Sequence, residues 1–273
     1  MFRIMHRKNM VLLATVMLLS LIFLISGCGS NSGNGKAEAE DSLARVQNAG
    51  EISFAMSGGY PPFNYYDDNN ELVGFDVDVS KEIATRLGVE FTPVTTDWSG
   101  IIEGLRAGAY DGILGSMAIT EERLQVVDFS IPYYYSGAQL VVRNDSEFSN
   151  PTDLEGKTIG VVTGTTFEND ALALGAGDVN LYKDDNLTLL ELNNKMVDAV
   201  ITDRVVGVNA VNSGSFEIEL LGNPLRSEDI GVAFRKDDGA LLEAVNGILT
   251  EMHEDGTLSS ISEKWLKTDI TKK

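Results

Sequence analysis

Short apolar runs alternate with helical patterns along the chain from Glu51 onward. Runs of four to six residues are typical of buried strands, and apolar residues spaced by three and four are typical of helices. Strands are predicted at residues 52–56, 91–94, 112–117, 158–162 and 199–202. Helices are predicted at residues 76–87, 97–108, from about 166, 187–196 and 241–266. This alternation predicts an α/β fold in which parallel sheets are covered by helices on both faces.

The predicted strands fall into two sets. They are joined by an apolar run at residues 138–143, and a second apolar run at 230–235 follows the second set. Two lobes joined by two strands form a hinge, with a ligand crevice at the carboxyl ends of the strands. We therefore expect the chain to cross between lobes near Val141 and near Val232. The first lobe is predicted at residues 46–140 and 236–273, and the second at 141–235.

The first 28 residues have the form of an export signal. A positive tip is formed by Arg3, Arg7 and Lys8. The apolar run that follows, residues 10–25, is too short for a comfortable membrane span and leads to Cys28, the only cysteine. We expect residues 1–27 to be a signal peptide and residues 28–45, rich in Gly, Ser and Asn, to be a flexible linker. A simple signal anchor with an incidental cysteine is the alternative.

Composition excludes several classes of partner. Without residues 1–27 the chain carries 18 Lys and Arg against 41 Asp and Glu, a formal charge near −23. Nucleic acids and anionic lipids bind basic patches, so neither is an expected partner. One cysteine cannot form an intrachain disulfide. The sequence has no Cys/His cluster, no Gly-x-Ser-x-Gly elbow and no phosphate-loop lysine, so we expect no enzyme, metal or cofactor.

Two charged residues are candidates for holding a zwitterion. Arg123 follows two glutamates at an expected helix start, where an arginine can bind a carboxylate in bidentate geometry. The alternative is a surface arginine paired with one of those glutamates. Asp203 follows a predicted strand, where an acid suits an ammonium group, and its alternative is a helix N-cap. Tyr60, Phe63 and Trp98 are either pocket walls or core residues.

A series of motifs, in this order, resembles the bacterial solute-binding proteins of family 3, which serve amino-acid ABC importers. The motifs are Gly59-Tyr60-Pro61-Pro62-Phe63, Leu72-Val73-Gly74-Phe75-Asp76, Asp97-Trp98, Ile119-Thr120-Glu121-Glu122-Arg123, Val127-Asp128-Phe129-Ser130, Asp153-Leu154-Glu155-Gly156-Lys157, Gly164-Thr165-Thr166 and Val197-Asp198-Ala199-Val200. The resemblance covers about residues 51–266. It implies a two-lobed, periplasmic-binding-protein-like fold of type II that closes like a hinged trap around one amino acid.

The resemblance also implies roles for individual residues. The arginine of the Ile-Thr-x-x-Arg motif, here Arg123, would bind the ligand α-carboxylate, and the aspartate after the Val-Asp-Ala strand, here Asp203, would bind the α-ammonium. Polar contacts are implied for Ser116, Thr165 and Thr166. Aromatic contacts to the ligand side chain are implied for Tyr60 and Trp98. The further candidates for the pocket lining are Ser57, Phe63, Met117 and Ala118.

Three positions depart from the family pattern in ways that bear on specificity. Ala118 stands where many members have Ser or Thr, so one hydroxyl contact is missing. Ser57 stands where members that take basic amino acids often have an acid. Val162 stands where members selective for glutamine often have a lysine. We therefore expect a neutral, aromatic pocket for a polar uncharged amino acid or a broad range of amino acids.

The stretch Leu24-Ile25-Ser26-Gly27-Cys28 resembles the lipobox of bacterial lipoproteins, which implies that Cys28 carries the lipid. Together the two resemblances imply a monomeric binding protein, anchored by lipid at the outer face of the cell membrane, that delivers an amino acid to ABC permease subunits. Two alternatives stay open. A cleft enzyme similar to cyclohexadienyl dehydratase needs an additional acid or base, and an amino-acid sensor domain is expected to continue past Lys273 into a membrane span and signalling module.

Overall fold

The computed structural model describes residues 41–273. The expected signal peptide, Cys28 and most of the expected linker lie outside the described residues. The α-helices are α1 (Ser42–Ala49), α2 (Phe75–Leu87), α3 (Ile101–Arg106), α4 (Phe167–Ala173), α5 (Asp185–Asn193), α6 (Arg204–Ser213), α7 (Gly239–Glu254) and α8 (Thr257–Leu266). The linker, predicted to reach residue 45, therefore overlaps α1, which Asp41 caps by accepting from the Leu43 N–H.

The strands form two large sheets and one small one. They are β1 (Glu51–Met56), β2 (Gly59–Tyr60), β3 (Asn64–Tyr66), β4 (Leu72–Val73), β5 (Glu90–Thr95), β6 (Gly112–Ile113), β7 (Asp128–Phe129), β8 (Tyr134–Arg143), β9 (Thr158–Val162), β10 (Asp178–Tyr182), β11 (Ala199–Asp203), β12 (Ile218–Ile230) and β13 (Ala233–Phe234). The first sheet has the order β5-β1-β6-β13-β7 and the second the order β10-β9-β11-β8-β12. The small sheet, β2-β3-β4, follows β1 in the first lobe.

Each large sheet mixes parallel and antiparallel strands. Strand β1 is parallel to β5 and β6, and β9 is parallel to β10 and β11, as the alternation predicts. The strands that carry the chain between lobes run the other way. Strand β8 is antiparallel to β11 and β12, and β13 is antiparallel to β6 and β7. The prediction of wholly parallel sheets is wrong because a chain that enters a lobe and returns from it must run in opposite directions.

Apolar clusters cover both faces of each large sheet. In the first lobe, α2 and α7 contribute Ile83 and Val245 to the cluster on one face, and α3 contributes Leu105 to the cluster on the other. In the second lobe, α4 contributes Phe167 to one face and α5 contributes Leu189 to the other. The predicted α/β architecture, with helices on both faces of each sheet, is confirmed.

The two connections between the lobes lie side by side. The chain changes sheet between β7 and β8 and returns between β12 and β13. The Ser130 N–H donates to the Val232 carbonyl at 2.9 Å, the Val232 N–H donates to the Ser130 hydroxyl at 2.9 Å, and the Tyr133 N–H donates to the Ile230 carbonyl at 2.9 Å. The second crossing lies near Val232. The first lies before Tyr134 and not near Val141, which is a buried residue inside β8.

The end of α2 follows the sequence-based prediction more closely than its start does. Gly88 ends α2 in the left-handed conformation, as predicted. Asp76 is not the N-cap of α2: Gly74 takes that position, and the Asp76 carboxylate is buried. The helical segment predicted at 241–266 is divided at Gly256, where φ is 80°. Within residues 41–273 no helix is long and apolar enough to cross a membrane.

Gly74 provides a test of the packing between α2 and the segment that precedes β3. Its φ is 132°, and a Cβ there would lie 2.2 Å from the Phe63 carbonyl oxygen. We expect Gly74→Ala to lower the free energy of unfolding by about 3–5 kcal/mol, through strain and steric overlap together. The measurement is urea denaturation of the ligand-free protein.

Gly88→Ala is the matched control. Its φ is 76°, but no atom lies within 4 Å of the added Cβ, so only the left-handed backbone opposes the change. A loss of about 1 kcal/mol is expected there. Equal losses in the two variants would contradict the steric argument.

Candidate functional site

A cavity lies between the two lobes, and the centres of water molecules can occupy about 50 Å³ of it. It is bounded by the carboxyl ends of β9 and β11 and by the turn after β6, where the sheet topology predicts a ligand crevice. The lining consists of Ser57, Gly59, Tyr60, Trp98, Gly115, Ser116, Ala118 and Arg123 from the first lobe and Val162, Thr165, Thr166, Phe167, Lys183, Asp184, Asp185, Asp203 and Glu228 from the second.

Arg123 brings a positive charge to this cavity. It begins a short 3₁₀ turn (Arg123–Gln125), and its N–H donates to the Thr120 hydroxyl at 3.1 Å. The side chain is 9% exposed and donates from Nη1 to the Ala118 carbonyl at 2.9 Å and from Nη2 to the Gly164 carbonyl at 3.3 Å. Its guanidinium lies 5.7 Å from the centre of the Trp98 ring.

No carboxylate in residues 41–273 lies within ion-pair distance of Arg123, so the alternative of a surface pair with a neighbouring glutamate is not observed. Burial lowers the pKa of the guanidinium because the charged form loses hydration. A buried cation held only by carbonyl oxygens is ready to receive an anion.

Asp203 brings a negative charge from the other lobe. It is the last residue of β11, is 2% exposed, and accepts from the Val205 N–H at 2.7 Å as the N-cap of α6. Both interpretations of this residue, cap and cleft acid, therefore hold at once. No basic side chain in the described part of the chain pairs with it. Burial raises its pKa to about 7.

A buried acid positions Ser116. The Asp76 carboxylate accepts from the Tyr133 hydroxyl at 2.7 Å, the Asn64 amide at 2.7 Å and the Ser116 hydroxyl at 2.9 Å. Ser116 itself has a φ of 63° and donates its N–H to the Tyr133 oxygen at 3.0 Å. The Asn64 oxygen accepts in turn from Ser57, whose hydroxyl lies 3.1 Å away. Ser57 and Ser116 thus face the cavity with their hydroxyls already engaged.

The predicted aromatic residues divide between wall and core. Tyr60 and Trp98 line the cavity. Phe63 is fully buried between Tyr60 and Tyr134, with ring centres 5.4 and 5.0 Å away, and it does not reach the cavity. Met117 is also buried in the core beneath the cleft and is not part of the lining. The positions of Phe63 and Met117 do not support the expected contact with a ligand, because both side chains point into the apolar core.

The two threonines and Ala118 all line the cavity. The Thr165 hydroxyl donates to the Val162 carbonyl at 2.7 Å, and the Thr166 hydroxyl donates to Glu228 at 2.7 Å. Glu228 also accepts from Arg226 at 2.8 Å, and Arg226 in turn pairs with Asp170 at 2.7 Å. Glu228 therefore has an ion-pair partner within the second lobe, which it shares with Asp170.

The family of this chain follows from its sequence. It matches the family described as bacterial extracellular solute-binding proteins, family 3, over residues 52–268. The chain belongs to this family. It is 35% identical over 236 residues to the L-cystine-binding protein TcyJ of Escherichia coli (strain K12), a match that covers 85% of this chain and 89% of that protein. The family is extracellular by its description, which places this solute-binding protein outside the cytoplasm.

Two further similarities extend the comparison. ABC transporter arginine-binding protein 1 of Escherichia coli (strain K12) is 31% identical over 226 residues, which cover 80% of this chain and 91% of that protein. The crystal structure of the ancestral amino acid-binding protein AncCDT-1, a precursor of cyclohexadienyl dehydratase, superposes with a TM-score of 0.78 at 31% identity and covers 82% of this chain and 99% of that chain. The two-lobed type II fold is confirmed by this likeness.

Sequence reasoning missed four charged residues of this solute-binding protein's cavity. Lys183, Asp184 and Asp185 follow β10, at the same sheet edge as Asp203, and Glu228 lies in β12. Neither β10 nor β12 was predicted as a strand, so the carboxyl-end rule that selected Asp203 could not be applied to them. The expected neutral, aromatic pocket is therefore not observed: the lining carries four carboxylates against two cations.

Three contacts between described residues join the two lobes across the cleft. The Lys183 ammonium of the second lobe lies 2.9 Å from the Asp97 carboxylate of the first. The Trp98 indole N–H donates to the Gly164 carbonyl at 3.2 Å, beside the bond from Arg123 to the same oxygen. Asp97 immediately precedes the 3₁₀ turn Trp98–Gly100 but makes no capping hydrogen bond.

The raised pKa of Asp203 predicts how stability depends on pH. The folded-state pKa of Asp203, about 7, exceeds its unfolded-state pKa, so the folded protein keeps the proton to a higher pH. The free energy of unfolding therefore falls as the pH rises between these two pKa values. Between pH 5 and 7.5 this group accounts for a loss of about 2 kcal/mol. Asp203→Asn preserves the cap. The fall in melting temperature over that interval should be smaller in this variant by roughly 4–8 °C.

The measurement uses scanning calorimetry of ligand-free protein, prepared by unfolding, dialysis and refolding. Asp178→Asn, which removes an exposed carboxylate of the second lobe, is the control and should melt like the wild type at both pH values. An equal fall in the wild type and Asp203→Asn would show that Asp203 does not titrate in this range.

Proposed function

We propose that this protein is the substrate-binding component of an ABC importer for an α-amino acid, and that its lobes close around one ligand molecule. The observation that carries the proposal is the pair Arg123 and Asp203, two buried and oppositely charged groups without ion-pair partners in residues 41–273, supplied by different lobes. A free α-amino acid carries the two complementary charges on a carboxylate and an ammonium group that are attached to the same carbon atom. The relatives named for cystine and arginine support the same class of ligand.

The placement of these charges also explains closure. A ligand whose carboxylate is bound by Arg123 and whose ammonium is bound by Asp203 contacts both groups only when the lobes are together. Such differential contact shifts the equilibrium toward the closed form. Closure then presents one defined surface of the two lobes to the permease subunits, which we take as the physiological partner of a monomeric binding protein.

The second candidate is an enzyme of the same fold. Asp203, with its pKa near neutrality, could exchange a proton with a substrate. The likeness to AncCDT-1, a precursor of a dehydratase, is a second reason to test for an enzyme. Its N-cap bond and its place opposite Arg123 favour a binding role. Incubation with each ligand that binds, followed by mass spectrometry, separates the two: a binding protein returns its ligand unchanged.

The proposal predicts the effect of removing either of the two charges that would bind the amino acid. Arg123→Ala and Asp203→Ala each leave one ligand charge buried without its partner, at a cost on the order of 2–5 kcal/mol. Binding should weaken by roughly 30-fold to several thousand-fold. Trp98→Ala should cost less, and unevenly across ligands, because it faces the side chain of the ligand. The measurement is calorimetric titration with the best ligand from a screen of the twenty amino acids.

Arg106→Ala is the matched control. Arg106 is an exposed arginine of the first lobe, paired with Glu103 at 2.8 Å, and its loss should leave affinity unchanged. Near-normal affinity in a folded Arg123→Ala variant would remove the central residue of the proposal.

We further propose that residues 1–27 are cleaved and that Cys28 is lipidated, which anchors the protein at the outer face of the cell membrane. The basis is the lipobox-like sequence, since these residues lie outside the described part of the chain. Cys28→Ser should yield an unprocessed precursor or an unlipidated protein. Membrane fractionation and intact-mass analysis are the readouts. Equal membrane retention and an identical mature mass in the variant would contradict lipidation.

A further inference from the structure

We propose that the cavity holds a second cation, so that the ligand is an α-amino acid whose side chain ends in a positive charge, and that Asp185 selects it. This inference rests on the function proposed above and deepens it. It starts from a surplus of acid in the cavity that an uncharged side chain would leave without a partner.

Asp185 is a buried carboxylate of the cavity lining that has no ion-pair partner in the described residues. It is the first residue of α5, is 6% exposed, and accepts one side-chain hydrogen bond, from the Thr202 hydroxyl at 2.5 Å. No Lys, Arg or His in residues 41–273 lies within ion-pair distance of its carboxylate. Helix capping does not account for it either, because the neighbouring Asp184 already accepts from the Leu187 N–H at 2.9 Å.

The charges of the cavity can be followed one by one. Under the proposed function, Arg123 is neutralised by the ligand carboxylate and Asp203 by the ligand ammonium. Glu228 is paired with Arg226, which it shares with Asp170. At the rim, Lys183 is paired with Asp97, and Asp184 is the N-cap of α5 and accepts from the Leu187 N–H. Asp185 is then the one buried carboxylate of the lining that a neutral amino acid leaves unpaired, and such burial is unfavourable.

The position of Asp185 is suited to the distal end of a ligand. Tyr60, Asp185 and Asp203 all line the same cavity, so the carboxylate of Asp185 shares this space with the acid proposed to bind the ligand ammonium. Asp184, beside it, meets β2 across the cleft, where a Cβ added to Gly59 would lie 3.8 Å from the Asp184 Cβ. On the first lobe, Ser57 supplies no charge at this end. The acid that a cationic side chain needs is thus supplied by the second lobe.

Two isosteric ligands test this directly. L-arginine and L-citrulline share length and hydrogen-bonding shape and differ in the terminal charge. We expect the wild-type protein, freed of ligand by unfolding and refolding, to bind arginine at least tenfold more tightly than citrulline in calorimetric titration at pH 7.5. L-lysine and L-2-aminoheptanoic acid, in which a methyl group replaces the terminal ammonium, form a second such pair and should show the same order.

Asp185→Asn is the decisive variant, because the amide oxygen can still accept from Thr202 and the fold is retained. Arginine affinity should fall by roughly 10- to 100-fold, the range for a hydrogen bond to a charged group. Citrulline affinity should change by less than about threefold. Asp178→Asn removes the same charge from an exposed site of the same lobe and should change neither affinity.

Three results would overturn the inference. They are equal binding of arginine and citrulline by the wild type, an unchanged preference in folded Asp185→Asn, and tighter binding of L-cystine, whose second amino group is flanked by a carboxylate, than of arginine. The proposed function fails separately: if neutral amino acids bind as tightly as their cationic counterparts and Arg123→Ala abolishes this binding, the proposed function is supported and the second cation is excluded. If no amino acid binds at all, both fall.

Discussion

The cleft of this protein depends on one buried carboxylate. Asp76 gathers hydrogen bonds from Asn64, Ser116 and Tyr133, which come from β3, from the turn after β6 and from the connection that leads into β8. Removing this acid would leave three buried donors without an acceptor, and such partly satisfied networks are costly. Burial raises the pKa of Asp76 to about 6, because the loss of hydration outweighs the stabilisation that the three donors give to the charged form. The network also holds Ser116 in a left-handed backbone conformation that an isolated serine disfavours.

The site itself is built from charges that the fold leaves unpaired. Arg123, Asp185 and Asp203 each lie buried without an ion-pair partner in the described residues, and each has a pKa shifted by burial toward its neutral form. Such groups oppose folding, and they persist because the two sheets and the paired crossings at Ser130 and Val232 over-determine their positions. A ligand that supplies the missing charges stabilises the closed form and, by mass action, the folded protein.

Much of the architecture followed from local patterns. The strands β1, β5, β9 and β11 and the stop of α2 at Gly88 were predicted because apolar runs and a left-handed glycine are local signals. Strand β12 was missed because only one face of this long strand meets the core, and its register shifts between Leu221 and Arg226, which interrupts the periodic pattern. Because β12 was not predicted, Glu228 was not selected as a residue of the cavity. The first crossing was predicted too far along the chain. The apolar run at 138–143 is apolar because it lies buried inside β8, and the sequence alone does not distinguish a buried strand from a strand that connects two lobes.

Sequence by itself determined the family and the two-lobed fold and selected Arg123 and Asp203 as candidate binding residues, because ordered motifs and carboxyl-end positions are visible as linear patterns. Only the tertiary structure decided which charges are free. That Arg123 has no carboxylate within ion-pair distance in the described residues, and that Phe63 and Met117 point away from the cleft, depends on contacts between distant segments. Charge compensation is a property of distance in three dimensions, and Asp185 becomes a candidate only when every neighbour that could have neutralised it is seen to lie elsewhere.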